Sequence, residues 1–240
     1  MHKLIQDNDF SWEFYSVIGQ DRACNKDVFA LILREKITLI IAFDISTSSP
    51  AQPEMAVFFS KILSNTVDSL TEYSDEIIHF CIQLAFEKTK KQYQIGKASI
   101  LIFGKLEQSF FCFHAGDVRL GIYNGNAPIH WVTNVHTGAN PLGGFFNIQM
   151  LKDEKRKIVT RNFNLQRDLI LDFLDEIELF EGNIVIATDG FWAECSHEQQ
   201  QLILAGHSLL IKDDLTLFMF TWNKNNKLSS NINIDNLILF

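Results

Sequence analysis

The spacing of apolar positions switches between two periods along the chain, and each switch predicts a different element. Runs of Val, Ile, Phe and Leu with strand character fall at Trp12–Ile18, Val28–Leu33, Ile37–Asp44, Ala98–Phe103, Phe110–His114 and Arg119–Tyr123. Further runs follow at Leu169–Leu179, Ile184–Asp189 and Leu215–Trp222. Between the third and fourth runs the period becomes helical. Met55, Phe58, Phe59, Ile62, Leu63 and Leu70 recur on one helix face, and Ile77, Ile78, Cys81, Ile82 and Ala85 do so again after Ser74, an N-cap residue type. A third helix is predicted from Ser196 to Gly206, where Ser196 and Gln199 have capping-box spacing and a glycine closes the run.

The stretches LREK and YNGNAP read as hairpin turns, the second through Asn124-Gly125. Hairpin-linked strands around an inserted helix pair, with a late helix, predict antiparallel sheets covered by helices. The class is α+β, and residues 1–240 are taken as one domain, because the chain is long enough for one large core. Thr133 to Thr160 has little periodicity and reads as a mobile flap near a site. The apolar tail LILF is expected to pack on a sheet, or to dock a partner if exposed.

An anomaly sits at the strand ends. ITLIIAFD closes on Asp44, FFCFHAGD on Asp117 and IVIATD on Asp189, while Asp213 and Asp214 precede the run LTLFMF. A lone Asp before Gly190 is explained by turn chemistry. Several acids at the ends of separate buried strands predict convergence. Convergent carboxylates repel unless they protonate or a cation lies between them. An all-oxygen donor set suits Mg²⁺ or Mn²⁺ and not zinc.

Charge and composition narrow the partners. A formal net charge of -8 argues against a nucleic-acid partner, which calls for a basic face. No apolar run reaches membrane-spanning or signal-peptide length, which predicts a cytoplasmic chain with no membrane partner. Cys24, Cys81, Cys112 and Cys195 lie far apart and read as reduced thiols.

Taken in order, six segments resemble the motifs of the type 2C, or PPM-type, metal-dependent Ser/Thr protein phosphatases. RACNKD is similar to that family's R-x-x-N-E-D, IIAFDIS to its strand ending in D-G, and KASILIF to its G-T-T strand opening. HAGDVRL is similar to G-D-S-R, IVIATDGFW to S-D-G-L-W, and KDDLT to D-N-x-T. The resemblance spans nearly the whole chain and implies two antiparallel β-sheets sandwiched between pairs of α-helices. It implies hydrolysis of phosphoserine or phosphothreonine through a metal-activated water. Asp44 would bridge two ions, with Asp189 and Asp213 on the first and the Ile45 carbonyl in reach. Asp27 would act through water, Asp117 on a third ion, and Arg22 on the phosphate. The implied partners are a phosphoprotein substrate and a Ser/Thr kinase or its target, with a monomer favoured.

Two departures stand beside the resemblance. Lys26 occupies the position of the family's metal-holding Glu, and ISTSSP replaces its glycine-rich turn after Asp44. The alternatives are therefore a weakened or inactive member acting as a binding or regulatory module, and a phosphoesterase for small molecules. Asp117 could instead pair with Arg119 or cap a turn, and Arg22 could be a solvated edge charge. Asp214 takes the family's Asn position, as a turn-forming or supporting group. His114 reads as a satisfied core histidine, and His136 as a histidine with no assigned task.

Overall fold

The computed structural model describes residues 10–47, 49–50, 52–106, 109–125, 127–175, 177, 182–222 and 236–240. In chain order the strands β1 (Phe10–Val17), β2 (Asp27–Leu33) and β3 (Ile37–Ile45) precede helices α1 (Pro53–Val67) and α2 (Asp75–Gln92). Strands β4 (Lys97–Leu106), β5 (Ser109–Ala115), β6 (Arg119–Tyr123) and β7 (His130–Trp131) come next. Helix α3 (Ile148–Lys152) and a 3-10 turn (Glu154–Lys157) lead to β8 (Phe163–Asn164), β9 (Asp172–Leu174) and β10 (Asn183–Ala187). The chain continues with α4 (Asp189–Trp192), α5 (His197–Leu204), β11 (Leu215–Trp222) and β12 (Leu237–Leu239).

These strands form a 5-stranded sheet, β1-β11-β10-β6-β7, and a 7-stranded sheet, β12-β2-β3-β4-β5-β9, in which β8 also pairs with β4. The architecture is the expected α+β sandwich, with two adjustments. The pairing of β12 with β2 is parallel, so the larger sheet is not wholly antiparallel. The helix layers are also unequal: α1 and α2 are long, whereas the other face carries the short α3, α4 and α5.

The unbroken apolar runs follow from two-sided burial, because successive side chains on a strand point to opposite faces. In β3, Ile37, Leu39, Ile41 and Phe43 join the cluster under α1 and α2, while Ile40 and Ala42 face the second sheet with Phe218 and Ile186. Both faces are dry, so no polar alternation survives. Phe163 on β8 stands at the centre of the helix-side cluster, edge-on to Phe43, Phe59 and Phe86.

The helix signals hold, except that α1 ends at Val67 and Leu70 lies beyond it. Ser74 accepts the Ile77 N–H at 3.2 Å, and Ser196 with Gln199 closes a capping box on α5. The LREK hairpin joins β2 to β3, and the Asn-Gly hairpin joins β6 to β7. Two expectations are corrected. Of Leu169–Leu179 only Asp172–Leu174 is strand; Leu169 instead packs into the core, and residues 176 and 178–179 lie outside the described residues. The 133–160 segment is folded, with α3, the 3-10 turn and a bridge between Thr137 and Val159. The tail does pack on a sheet, as β12. Among the described residues no helix is long and apolar enough to cross a membrane.

Candidate functional site

Strand parity carries the acids to one place. Asp27 and Asp44 lie directly opposite each other on β2 and β3. Both continue the side of the pleat that faces the second sheet, as Phe29 and Ala42 do. From that second sheet, Thr188 follows β10 and Asp214 precedes β11 on the matching parity. Thr188 Oγ1 donates to Asp27 Oδ2 at 2.9 Å, so one hydrogen bond joins the sheets at the mouth of the sandwich. Asp27, Asp44, Asp117, Asp189, Asp213 and Asp214 all line a cleft of about 530 Å³ there, with Arg22 and Ile45. The seven candidate site residues, Arg22, Asp27, Asp44, Ile45, Asp117, Asp189 and Asp213, are thus brought together, with Asp214 beside them.

The supporting contacts explain the local sequence. Asp214 Oδ1 accepts the Gly19 N–H and its Oδ2 the Lys26 N–H, each at 3.0 Å, which clamps the Arg22 loop to the start of β11. Gly190 is required by a close approach: a Cβ there would lie 2.0 Å from the Asp214 carbonyl oxygen. Gly116 has φ +111, and a Cβ would lie 2.3 Å from Ser99 Oγ. That hydroxyl donates to Asp117 Oδ1 at 2.6 Å, and Trp192 Nε1 donates to the Asp117 carbonyl at 2.8 Å. Asp117 therefore does not pair with Arg119. The Arg119 guanidinium lies against the rings of Trp131 and Trp192, 5.0 and 5.1 Å from their centroids, and donates to the Thr133 carbonyl.

Burial and mutual repulsion hold these carboxyls above the usual acid range. Burial pushes Asp27 up to about 7, against the hydrogen bonds it accepts. Asp44 rises well above its ordinary value through burial and then the charges of Asp189 and Asp27. Asp189 does so through burial, Asp117 and Asp213, with Arg156 opposing. Burial likewise raises Asp117 and Asp214.

Two guanidiniums answer part of this charge. Arg22 donates through Nε to Asp213 Oδ1 at 2.8 Å and forms a second bond from Nη2, while Nη1 reaches Thr47 Oγ1 at 2.6 Å. Arg22 is thus no idle edge charge. Burial lowers its pKa, but the hydrogen bond to Asp213 and the charges of Asp213, Asp214 and Asp189 together raise it, and the net direction is up. Arg156, from the 3-10 turn, reaches Asp189 Oδ2 at 3.3 Å and also pairs with Glu194. Sequence reasoning missed Arg156 and Glu194, because Arg156 lies in the stretch with no periodicity. Lys26 turns its ammonium to the Ser49 carbonyl oxygen at 3.1 Å and does not line the cleft.

The acids that line the cleft offer only oxygen donors, which fits a hard divalent cation such as Mg²⁺ or Mn²⁺. The Asp44 side chain, which lines the cleft, makes no hydrogen bond or ion pair with any described residue. Among the described residues no three His, Cys, Asp or Glu side chains are drawn together as closely as a bound ion would draw them. Asp213 and Asp189 are turned to guanidiniums instead.

His114 is buried as expected but not satisfied, since its Nδ1 has no hydrogen-bond partner. Burial and the neighbouring His136 push its pKa down to about 4.

A two-sheet α+β sandwich is also the fold of solved bacterial Ser/Thr phosphatases of PPM type, and the likeness in fold runs along most of the chain. Serine/threonine phosphatase Stp1 from Staphylococcus aureus superposes with a TM-score of 0.71 at 16% identity, over 88% of this chain and 94% of that one. The S. agalactiae serine/threonine phosphatase gives 0.72 at 16%, over 89% and 100%. The PPM Ser-Thr phosphatase MsPP from Mycobacterium smegmatis gives 0.67 at 14%, over 88% and 98%. The chain shares their fold. No family model matches it, and no curated protein does.

Proposed function

We propose that the chain is a Mg²⁺- or Mn²⁺-dependent phosphoprotein phosphatase acting on phosphoserine and phosphothreonine. The observation that carries this reading is the convergence of Asp27, Asp44, Asp117, Asp189 and Asp213 on one cleft. Bound there, divalent ions would supply an activated water and neutralise phosphoryl oxygens. Asp44, Asp189, Asp213 and the Ile45 carbonyl would hold two ions, and Asp117 a third. Arg22 has donors to spare beyond its bonds to Asp213 and Thr47, and a planar fork suits phosphate oxygens. Asp27, oriented by Thr188, would steer water at the mouth. One domain spanning residues 1–240, a cytoplasmic monomer, a kinase or its target as partner, and no nucleic-acid or membrane partner complete the reading.

The test is hydrolysis of a phosphothreonine peptide by the purified chain across a Mn²⁺ series, with Asp189→Asn in parallel. Turnover in the native chain and its loss in Asp189→Asn are expected.

One specific arrangement favours a second reading, a binding or regulatory module on the same fold. Arg22 and Arg156 already neutralise Asp213 and Asp189, and position 26 is a lysine. Folded protein with no turnover at any Mn²⁺ concentration decides for it.

A further inference from the structure

The turn that carries Asp117, between β5 and β6, is held from outside the cleft by a histidine. The Gly116 N–H donates to His136 Nδ1 at 3.1 Å, and the His136 N–H donates to the Gly116 carbonyl oxygen at 2.9 Å. Accepting at Nδ1 places the ring proton of the neutral imidazole on Nε2. Nε2 lies 2.8 Å from Asp172 Oδ2, on the edge strand β9, and Asp172 pairs in turn with Arg161. His136 is 4% exposed and stacks on His114 with 5.1 Å between ring centroids. It does not line the cleft.

Asp117 is therefore held by three groups: its carboxylate by Ser99, its carbonyl by Trp192 and the preceding residue by His136. Gly116, at φ +111, is a residue type with wide backbone freedom, so the turn can shift when one of these holds is lost. We propose that His136 is a positioning residue: by accepting the Gly116 N–H it sets where the Asp117 carboxylate sits, and hence how strongly Asp117 takes a divalent cation. The inference rests on the metal-site reading above. It assigns to His136 a role in cation affinity, exerted from behind the site.

Calorimetric titration of the full chain with Mn²⁺ tests it, using His136→Ala, His136→Asn, Asp117→Asn and the double variant His136→Ala/Asp117→Asn. Circular dichroism checks the folded state of each. Asp117→Asn is expected to remove or weaken one Mn²⁺ step. His136→Ala should weaken that same step by about tenfold, the effect of leaving a buried N–H without its acceptor. His136→Asn presents Oδ1 where Nδ1 stood and should recover most of the loss. In the Asp117→Asn background His136→Ala should change nothing further.

Native-like titration in folded His136→Ala overturns the proposal, as does a full-sized added loss in the Asp117→Asn background, which would mean general loosening. So does an Asp117→Asn variant that binds Mn²⁺ as the native chain does. Should His136→Ala fail to fold, Asp172→Ala frees the imidazole from its half-exposed end, and a smaller weakening of the same step is expected; no change overturns the idea. A native chain that takes up no Mn²⁺ sinks the metal reading and this inference together. Normal uptake that ignores His136 sinks the inference alone.

Discussion

Lys26 Nζ donates to the Ser49 carbonyl oxygen at 3.1 Å, along the loop that follows β3 and away from the acids. The side chain that replaces the expected glutamate thus ties down the ISTSSP loop and leaves the cleft floor to the carboxylates. Its backbone N–H stays on Asp214 whatever the side chain, so position 26 is anchored independently. Lys26→Glu is accordingly expected to fold, to tighten Mn²⁺ binding by roughly tenfold through reversal of one nearby charge, and to raise Mn²⁺-dependent turnover. Calorimetry and the peptide assay read the two effects; weaker Mn²⁺ binding in the variant refutes the electrostatic argument.

Arg156 is buried between Asp189 and Glu194, and removing one partner of a buried ion pair leaves the other charge uncompensated. Arg156→Ala should lose roughly 3 kcal/mol in chelator-treated protein. Added Mn²⁺ should restore much of that stability, since the cation then meets Asp189. Urea melts with and without Mn²⁺ measure the difference, and an equal loss in both conditions would contradict it.

His114 contributes a loss of stability in acid that runs against the gain from the raised carboxyls of the cleft. Its folded pKa of about 4 lies below the ordinary value of 6.5, because burial disfavours the imidazolium. The unfolded chain therefore binds more protons in that window, and stability is present above it and lost as pH falls from about 6.5 to 4. The full effect is roughly 3 kcal/mol, at about 1.4 kcal/mol per pKa unit. His114→Phe removes the titration and the unpartnered Nδ1 together. The stability of His114→Phe relative to the native chain should grow as pH falls from about 6.5 to 4, a comparison in which the opposite trend of the raised carboxyls of Asp27, Asp44, Asp117, Asp189 and Asp214, common to both proteins, cancels.

Phe163 belongs to a two-residue strand, yet it is fully buried and meets Phe43, Phe59 and Phe86 edge-on. Phe163→Ala is expected to cost about 3–5 kcal/mol, the range for emptying a packed aromatic site. Because β8 ends the segment that supplies Arg156, Mn²⁺ affinity should shift as well. A melt within 1 kcal/mol of native would show that the cluster repacks around the gap, which is far better than about 3 kcal/mol allows.

Local signals were legible where local physics decides. The N-cap at Ser74, the capping box at Ser196 and Gln199, and the Asn-Gly hairpin act within a few residues, and each stands where the sequence puts it. The tail strand β12 was legible only as apolar chain; that it runs parallel to β2 depends on residues about 200 positions apart and leaves no periodic trace. Leu169–Leu179 misled because a short apolar run looks alike whether it pairs with a strand or packs as irregular chain.

The candidate site divides the same way. Asp44, Asp117, Asp189 and Asp213 could be picked out because a charge at the end of a two-sided apolar strand is costly and needs a reason, whereas Asp27 stood out only through the motif resemblance. Sequence alone determined most of the longer strands, the long helix pair and which acids stand at strand ends, because these follow from side-chain period and cap chemistry within each segment. Only the tertiary structure decided the partners: Arg22 on Asp213, Arg156 on Asp189, Lys26 on Ser49 and His136 on Gly116. Those choices are made across the two sheets and the folded 133–160 segment, where long flexible side chains select among groups that are distant in the chain and adjacent only after it has folded.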